Sequence, residues 1–386
     1  MATEKPDKPY PDFPLFAHAT RRWAKKVRGK MCYFGPWADP QAALTKYLDQ
    51  KDDLHAGRSP RKPEDVGLTV RDLCNQFLTA KRHRLENDEL GQRMFKEYHA
   101  ACERLVDAYG RNRLVSGLKA EDFEQLRATL SKGVGPVTLS SRVRLTRIIF
   151  KYAYDSDLID KPIKMGPSFK GPSKKTLRAE RQSKPLRLIE AAELRSVIEN
   201  ASIPMRAMVL LAINTAFGNG DISSLPITAL DLEGGWVTYP RPKTAIMRRC
   251  PLWKETVAAL KEAIAARPKA KRPEFDGLVF VTKSGLPLVR MGSNFCNIDS
   301  LGQLFSALLT KCGLKRENLG FYAIRHSFET IAGATKDQVA VSAIMGHSPS
   351  SDDMSAVYRE RIDDERLKAV SDHVRAWLWP EAIKTT

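Results

Sequence analysis

The chain has 386 residues, enough for two or three domains of ordinary size, and 42 % hydrophobic with 28 % charged residues is the balance of a globular protein, which excludes a disordered tail or a collagen-like repeat. Lysine and arginine number 63 against 45 aspartates and glutamates, and this net charge of +18 points to a polyanionic partner, nucleic acid or an anionic membrane face. Met1 to Phe16 has no apolar signal core and the longest apolar run, Ala207 to Ile213, is far too short for a bilayer, so no membrane contact and a cytoplasmic location are expected.

The basic excess is uneven along the chain. Residues 1–68, 69–160 and 188–386 are nearly balanced, whereas Lys161 to Arg187 holds nine basic side chains and the single acid Glu180, eight of the eighteen net charges in 27 residues. Its proline, glycine and serine content argues against a packed element and reads as a linker, either a solvated hinge or a strap along a phosphate backbone, with Lys170, Lys174, Lys175 and Arg178 as backbone contacts. The expected organisation is therefore an N-terminal module (1–68), a helical module (69–160), the basic linker (161–187) and a C-terminal domain (188–386).

In chain order, Arg21 to Val27 and Met31 to Phe34 alternate around a Gly29-Lys30 turn and predict a β-unit, followed by a short helix over Gln41 to Gln50 behind the Asp39-Pro40 cap. Arg21, Arg22, Lys25 and Lys26 in that unit suit either contacts to DNA or a charged edge strand. From Thr69 the period becomes helical: Val70, Leu73, Cys74 and Phe77 share one face, as do Met94, Tyr98, Cys102 and Leu105, and helices are expected at Ala120 to Leu130 and Leu139 to Asp155. The C-terminal half predicts helices at 191–200, 205–215, 256–266 and 300–312, a hairpin of Gly235 to Tyr239 with Met247 to Leu252, and further helices at 323–334, 337–345, 354–361 and 364–378. The fold class is mainly α with a small β component.

Phosphate-binding glycine loops, dinucleotide fingerprints and HExxH are absent from the sequence, and Cys32, Cys74, Cys102, Cys250, Cys296 and Cys312 are scattered without metal spacing. They read as reduced packing residues, no metal or cofactor is expected, and any chemistry falls to side chains alone.

Near the C-terminus, Tyr322-Ala323-Ile324-Arg325-His326 is followed by Met345-Gly346-His347 and then by Tyr358. This order and spacing resembles the tyrosine recombinases, the phage-integrase family of site-specific DNA recombinases. The resemblance implies an arm-binding-like N-terminal module, a core DNA-binding domain at 69–160 and a mixed α+β catalytic domain from 188. It implies cutting and rejoining of double-stranded DNA through a 3′-phosphotyrosyl intermediate, DNA integration or recombination of a mobile element, and a homo-oligomer, a tetramer on two DNA sites. A type IB topoisomerase-like relaxation activity and a catalytically impaired DNA-binding protein are the alternatives.

Such chemistry needs a nucleophile that stores the bond, cations for the non-bridging oxygens and an acid for the leaving 5′ oxygen. The resemblance assigns these to Tyr358, to Arg325 with its bidentate fork and His347, and to Lys243 on the hairpin turn. His326 reads as a buried support. Two positions depart from the family pattern: Gly218 stands where the first arginine is expected in the stretch Thr215 to Asp221, and Tyr322, a phenol able to hydrogen-bond phosphate, stands where histidine or lysine is usual. Arg241, Arg248 and Arg249, flanking Lys243, are the nearest substitutes for the lost cation. The same resemblance implies that the amphipathic helix of Asp364 to Leu378 docks on a neighbouring protomer, whereas its apolar face alone equally suits packing on its own domain.

Overall fold

The computed structural model describes residues 5–58, 60, 67–292, 296–348 and 354–380. The chain divides into two compact units, Met1–Ser183 and Lys184–Thr386.

The first unit opens with a three-stranded antiparallel sheet, β1 (Phe16–His18), β2 (Arg22–Val27) and β3 (Lys30–Pro36), in that spatial order. Val27 pairs with Lys30, so the turn is Arg28-Gly29, one residue earlier than expected, with positive φ at both positions as a tight hairpin requires. The helix α1 (Pro40–Ala56) is capped by Asp39, whose side chain accepts from the Ala42 N–H, and it outruns its predicted end by six residues before Gly57 stops it in the left-handed conformation. Phe13, Leu15, Trp23, Phe34 and Tyr47 close a small core between sheet and helix.

Four helices follow, α2 (Val70–Glu86), α3 (Gln92–Tyr109), α4 (Ala120–Ser131) and α5 (Pro136–Asp155), and their inward faces are those the periodicity marks. The basic segment departs from expectation. Phe169 is fully buried in the bundle, edge-on to Phe123 at 5.3 Å, and Arg147 Nη2 and Arg127 Nε donate to the carbonyls of Phe169 (2.6 Å) and Lys170 (2.8 Å). Beyond it Ser173 caps α6 (Lys174–Gln182), which buries nothing. One aromatic ring brings enough apolar area to dock a polar segment, and arginines from the bundle satisfy its backbone.

The second unit is built on α8 (Ile203–Thr215), apolar around most of its circumference and buried from Ala207 to Thr215. It follows α7 (Ala191–Asn200) and leads to α9 (Asn219–Ser223), then to an antiparallel sheet of β4 (Leu230–Asp231), β5 (Trp236–Thr238) and β6 (Arg249–Pro251). After α10 (Lys254–Ala265) come a two-stranded ribbon, β7 (Val289–Met291) and β8 (Asn297–Asp299), which no pattern had indicated, then α11 (Ser300–Lys311), α12 (Ala323–Ala332) and α13 (Gln338–Met345). The helix expected over 354–361 is only α14 (Ser355–Tyr358), because Arg359 is already extended. The last helix, α15 (Asp364–Leu378), buries Leu367, Val370, Val374 and Leu378 in the core of its own unit, where Ser371 Oγ accepts from Asn214 Nδ2 and Trp253 Nε1.

Candidate active site

Arg325 lies on the buried face of α12, 2 % exposed. Its Nη1 donates to the Ala216 carbonyl, and its Nη2 donates to Met345 O at 2.7 Å and to His347 Nε2 at 3.0 Å. Ala216 ends α8 and Gly346 ends α13, both left-handed (φ 56° and 62°), so two helix C-termini turn carbonyls onto one cation, which their dipoles favour. A guanidinium has donors only, so His347 Nε2 is the acceptor and the imidazole is neutral with its proton on Nδ1. Burial, and next the Arg325 charge, hold His347 below the ordinary value of 6.5, in keeping with that tautomer. Arg325 is itself lowered from the usual arginine range, first by burial and then by Arg241.

The loop joining β5 to β6 meets the same turn. Arg241 Nη1 (3.1 Å) and Thr244 Oγ1 (3.3 Å) both donate to Gly346 O, and Lys243 stands exposed between them. A Cβ at Gly346 would fall 2.8 Å from Arg248 Cδ and 3.1 Å from Arg241 Cβ, so glycine is required there for the close approach as well as for its φ.

Tyr358 closes α14 and is 78 % exposed, not packed as most helix tyrosines are. Among the described residues no hydrogen bond joins its hydroxyl to Arg325 or His347. Its neighbours Ala356, Arg359 and Ile362 nevertheless line, with His347, Ser348 and Ile246, a cavity of about 640 Å³. The tyrosine segment and the histidine thus border one space.

At Gly218 the backbone N–H donates to Asp221 Oδ2 (2.7 Å), and Asp221 Oδ1 accepts from Arg248 Nη2 (3.0 Å). The Arg248 guanidinium lies 4.0 Å from the Phe217 ring centroid and its side chain is wholly buried. Asp221 was legible as the end of the Thr215–Asp221 stretch; its partner, 27 residues on, was not. A Cβ added at Gly218 would sit 3.1 Å from Tyr322 Cε2, so the phenol ring takes the room a side chain there would use. His326 is not the buried support expected: it is exposed, edge-on to Tyr322 at 5.6 Å.

Two of the three substitute arginines are otherwise engaged. Arg248 is sealed from any ligand by its burial. Arg249 makes a two-pronged pair with Asp364 (2.9 and 2.8 Å) and lies 3.9 Å over Trp236; that hydrogen bond raises the arginine and lowers the aspartate. In the first unit, Arg21, Arg22 and Lys26 are exposed, while Lys25 turns to the helix face, 4.8 Å over the Tyr47 ring. Lys170, Lys174, Lys175 and Arg178 are all exposed.

No disulfide joins any of the six cysteines; Cys74, Cys102 and Cys250 are buried as packing residues are, but Cys296 is exposed. Among the described residues no His, Cys, Asp and Glu group could hold a metal ion, and no helix is long and apolar enough to cross a membrane.

Residues 182–364 match the model of the phage integrase family. No curated protein matches in sequence. Among solved structures, the Tn1549 transposon integrase in complex with a circular intermediate DNA is 19 % identical, with a TM-score of 0.58 over 80 % of this chain and 100 % of that one. A XerH site-specific recombinase bound to a palindromic difH substrate is 14 % identical, with a TM-score of 0.56 over 83 % and 97 %. A lambda integrase tetramer bound to a Holliday junction is 14 % identical, with a TM-score of 0.52 over 92 % and 98 %. At these identities the likeness concerns the fold.

Proposed function

Residues 182–364 form a domain of the phage integrase family, and from that premise we propose that the protein is a tyrosine recombinase, a site-specific enzyme that cuts and rejoins double-stranded DNA. The observation that carries the reading is the buried Arg325 guanidinium, bonded to His347 at 3.0 Å, beside a turn that bears Lys243. The reaction is a transesterification. Tyr358 Oη attacks the scissile phosphorus and loses its proton to the water around it; the P–O5′ bond breaks, and Lys243 gives a proton to O5′. Arg325 and the His347 Nδ1–H stabilise the charge on the non-bridging oxygens. A 5′-hydroxyl from a partner strand then attacks the 3′-phosphotyrosine and restores the phenol, so the bond energy is conserved and no nucleotide is spent. Tyr322 hydrogen-bonds a phosphate oxygen.

The N-terminal module (1–68), the helical module (69–160) and the basic segment (161–187) bind DNA, as does the catalytic domain (188–386). The active assembly is a homo-oligomer on two DNA sites, a tetramer like that of lambda integrase on its junction, and it works on DNA in the cytoplasm.

The test uses a library of nicked duplexes with a randomised segment, in which cleavage releases a short fragment and prevents rejoining. The unsubstituted chain is expected to retain DNA after denaturation in SDS, and Tyr358→Phe to retain none. Retention by Tyr358→Phe, or none by the unsubstituted chain, overturns the reading.

A further inference from the structure

In-line displacement at a phosphodiester develops charge on two non-bridging oxygens, and preorganised cations are worth most when aimed at both. Arg325 meets that charge with two of its five N–H groups, on Nε and Nη1, because the other three donate to Ala216 O, Met345 O and His347. Position 218 offers no side chain, and Tyr322 fills the room where one would lie. A second cation at this phosphate would therefore come from a position other than 218.

Arg241 has the required features. It is half-buried, its Nη1 is held by Gly346 O, and among the described residues its Nε and Nη2 have no hydrogen-bond partner. Its backbone is fixed as well, since its N–H donates to Ile246 O and its carbonyl accepts from Ala245 N, each at 2.8 Å. The aliphatic part of the side chain packs under Gly346, one residue before the histidine that touches Arg325. Its charge is felt at both of those groups, lowering the proton affinity of each. Arg249 is tied to Asp364, and Arg248, although its Nη1 has no partner among the described residues, is held by Asp221 with no exposed surface.

We propose that Arg241 is a catalytic residue of this site, binding a non-bridging oxygen of the scissile phosphate in place of the side chain that residue 218 lacks. This rests on the recombinase reading, and the test separates the two. On a nicked duplex captured by the unsubstituted chain, Arg241→Met, which keeps the packing under Gly346, and Arg241→Gln, which keeps a donor to Gly346 O, are expected to slow adduct formation about a hundredfold or more. A second substrate carries a methylphosphonate at the scissile position, where one oxygen has lost its charge; there the gap between variant and parent should narrow by about tenfold or more. Undiminished adduct from both variants on ordinary DNA overturns the assignment. So does an equal gap on both substrates, because a side chain that merely shaped the His347 turn would be indifferent to phosphate charge. Absence of adduct from the unsubstituted chain overturns the recombinase reading, and the assignment with it.

Discussion

At the scale of residues, the site depends on a neutral imidazole in contact with a buried guanidinium. His347 and His326 both lie below 6.5, each chiefly because its ring is partly withdrawn from water although the residue as a whole is exposed, so the unfolded chain binds more protons than the folded one once the pH drops under about 6.5. The stability tied to these groups is complete above that value and is lost as the pH falls through the folded-state values. Urea midpoints are therefore expected to decline from pH 7.5 to pH 5.5, and the decline should be shallower in His347→Gln, by no more than one proton's share of the slope. An identical slope in the variant would mean that His347 titrates normally. The meeting of Arg325 with His347 was legible through the order and spacing that resemble the recombinase family. Arg249 with Asp364 and Arg248 with Asp221 were not, because each pairing joins distant segments that only the fold brings together.

At the scale of elements, the helices follow from their apolar periodicity, and the errors fall where that signal is thin. β7 and β8 are three residues each and half-buried, with no alternation to read, and the tyrosine segment is helical only from Ser355 to Tyr358 despite Met354 and Val357 at helical spacing. In the basic segment a single ring overrules composition. Phe169→Ala should cost about 3–5 kcal/mol, as for other large buried aromatics, and lower the urea midpoint of the first unit. A change below about 1 kcal/mol would show that the segment docks through its backbone contacts to Arg147 and Arg127 alone.

At the scale of the molecule, the charge carries less information than it first promises. Much of the excess is in the basic segment, and α6 exposes Lys174, Lys175 and Arg178 together. With these three on phosphates, changing all of them to Gln should make the slope of log K against log salt shallower by about 3, roughly 0.9 for each released counterion; an unchanged slope would place them off the DNA. The cation at the reaction centre is a separate matter of two positions, 218 and 322. With the Tyr322 ring seated on Gly218, the first side-chain carbon of an arginine at 218 would lie 3.1 Å from the ring, which has to move by a few tenths of an ångström to admit it. A side chain regained at 218 has to be matched by a small shift of the ring at 322, so the two positions are expected to behave as one coupled pair whose substitutions do not add.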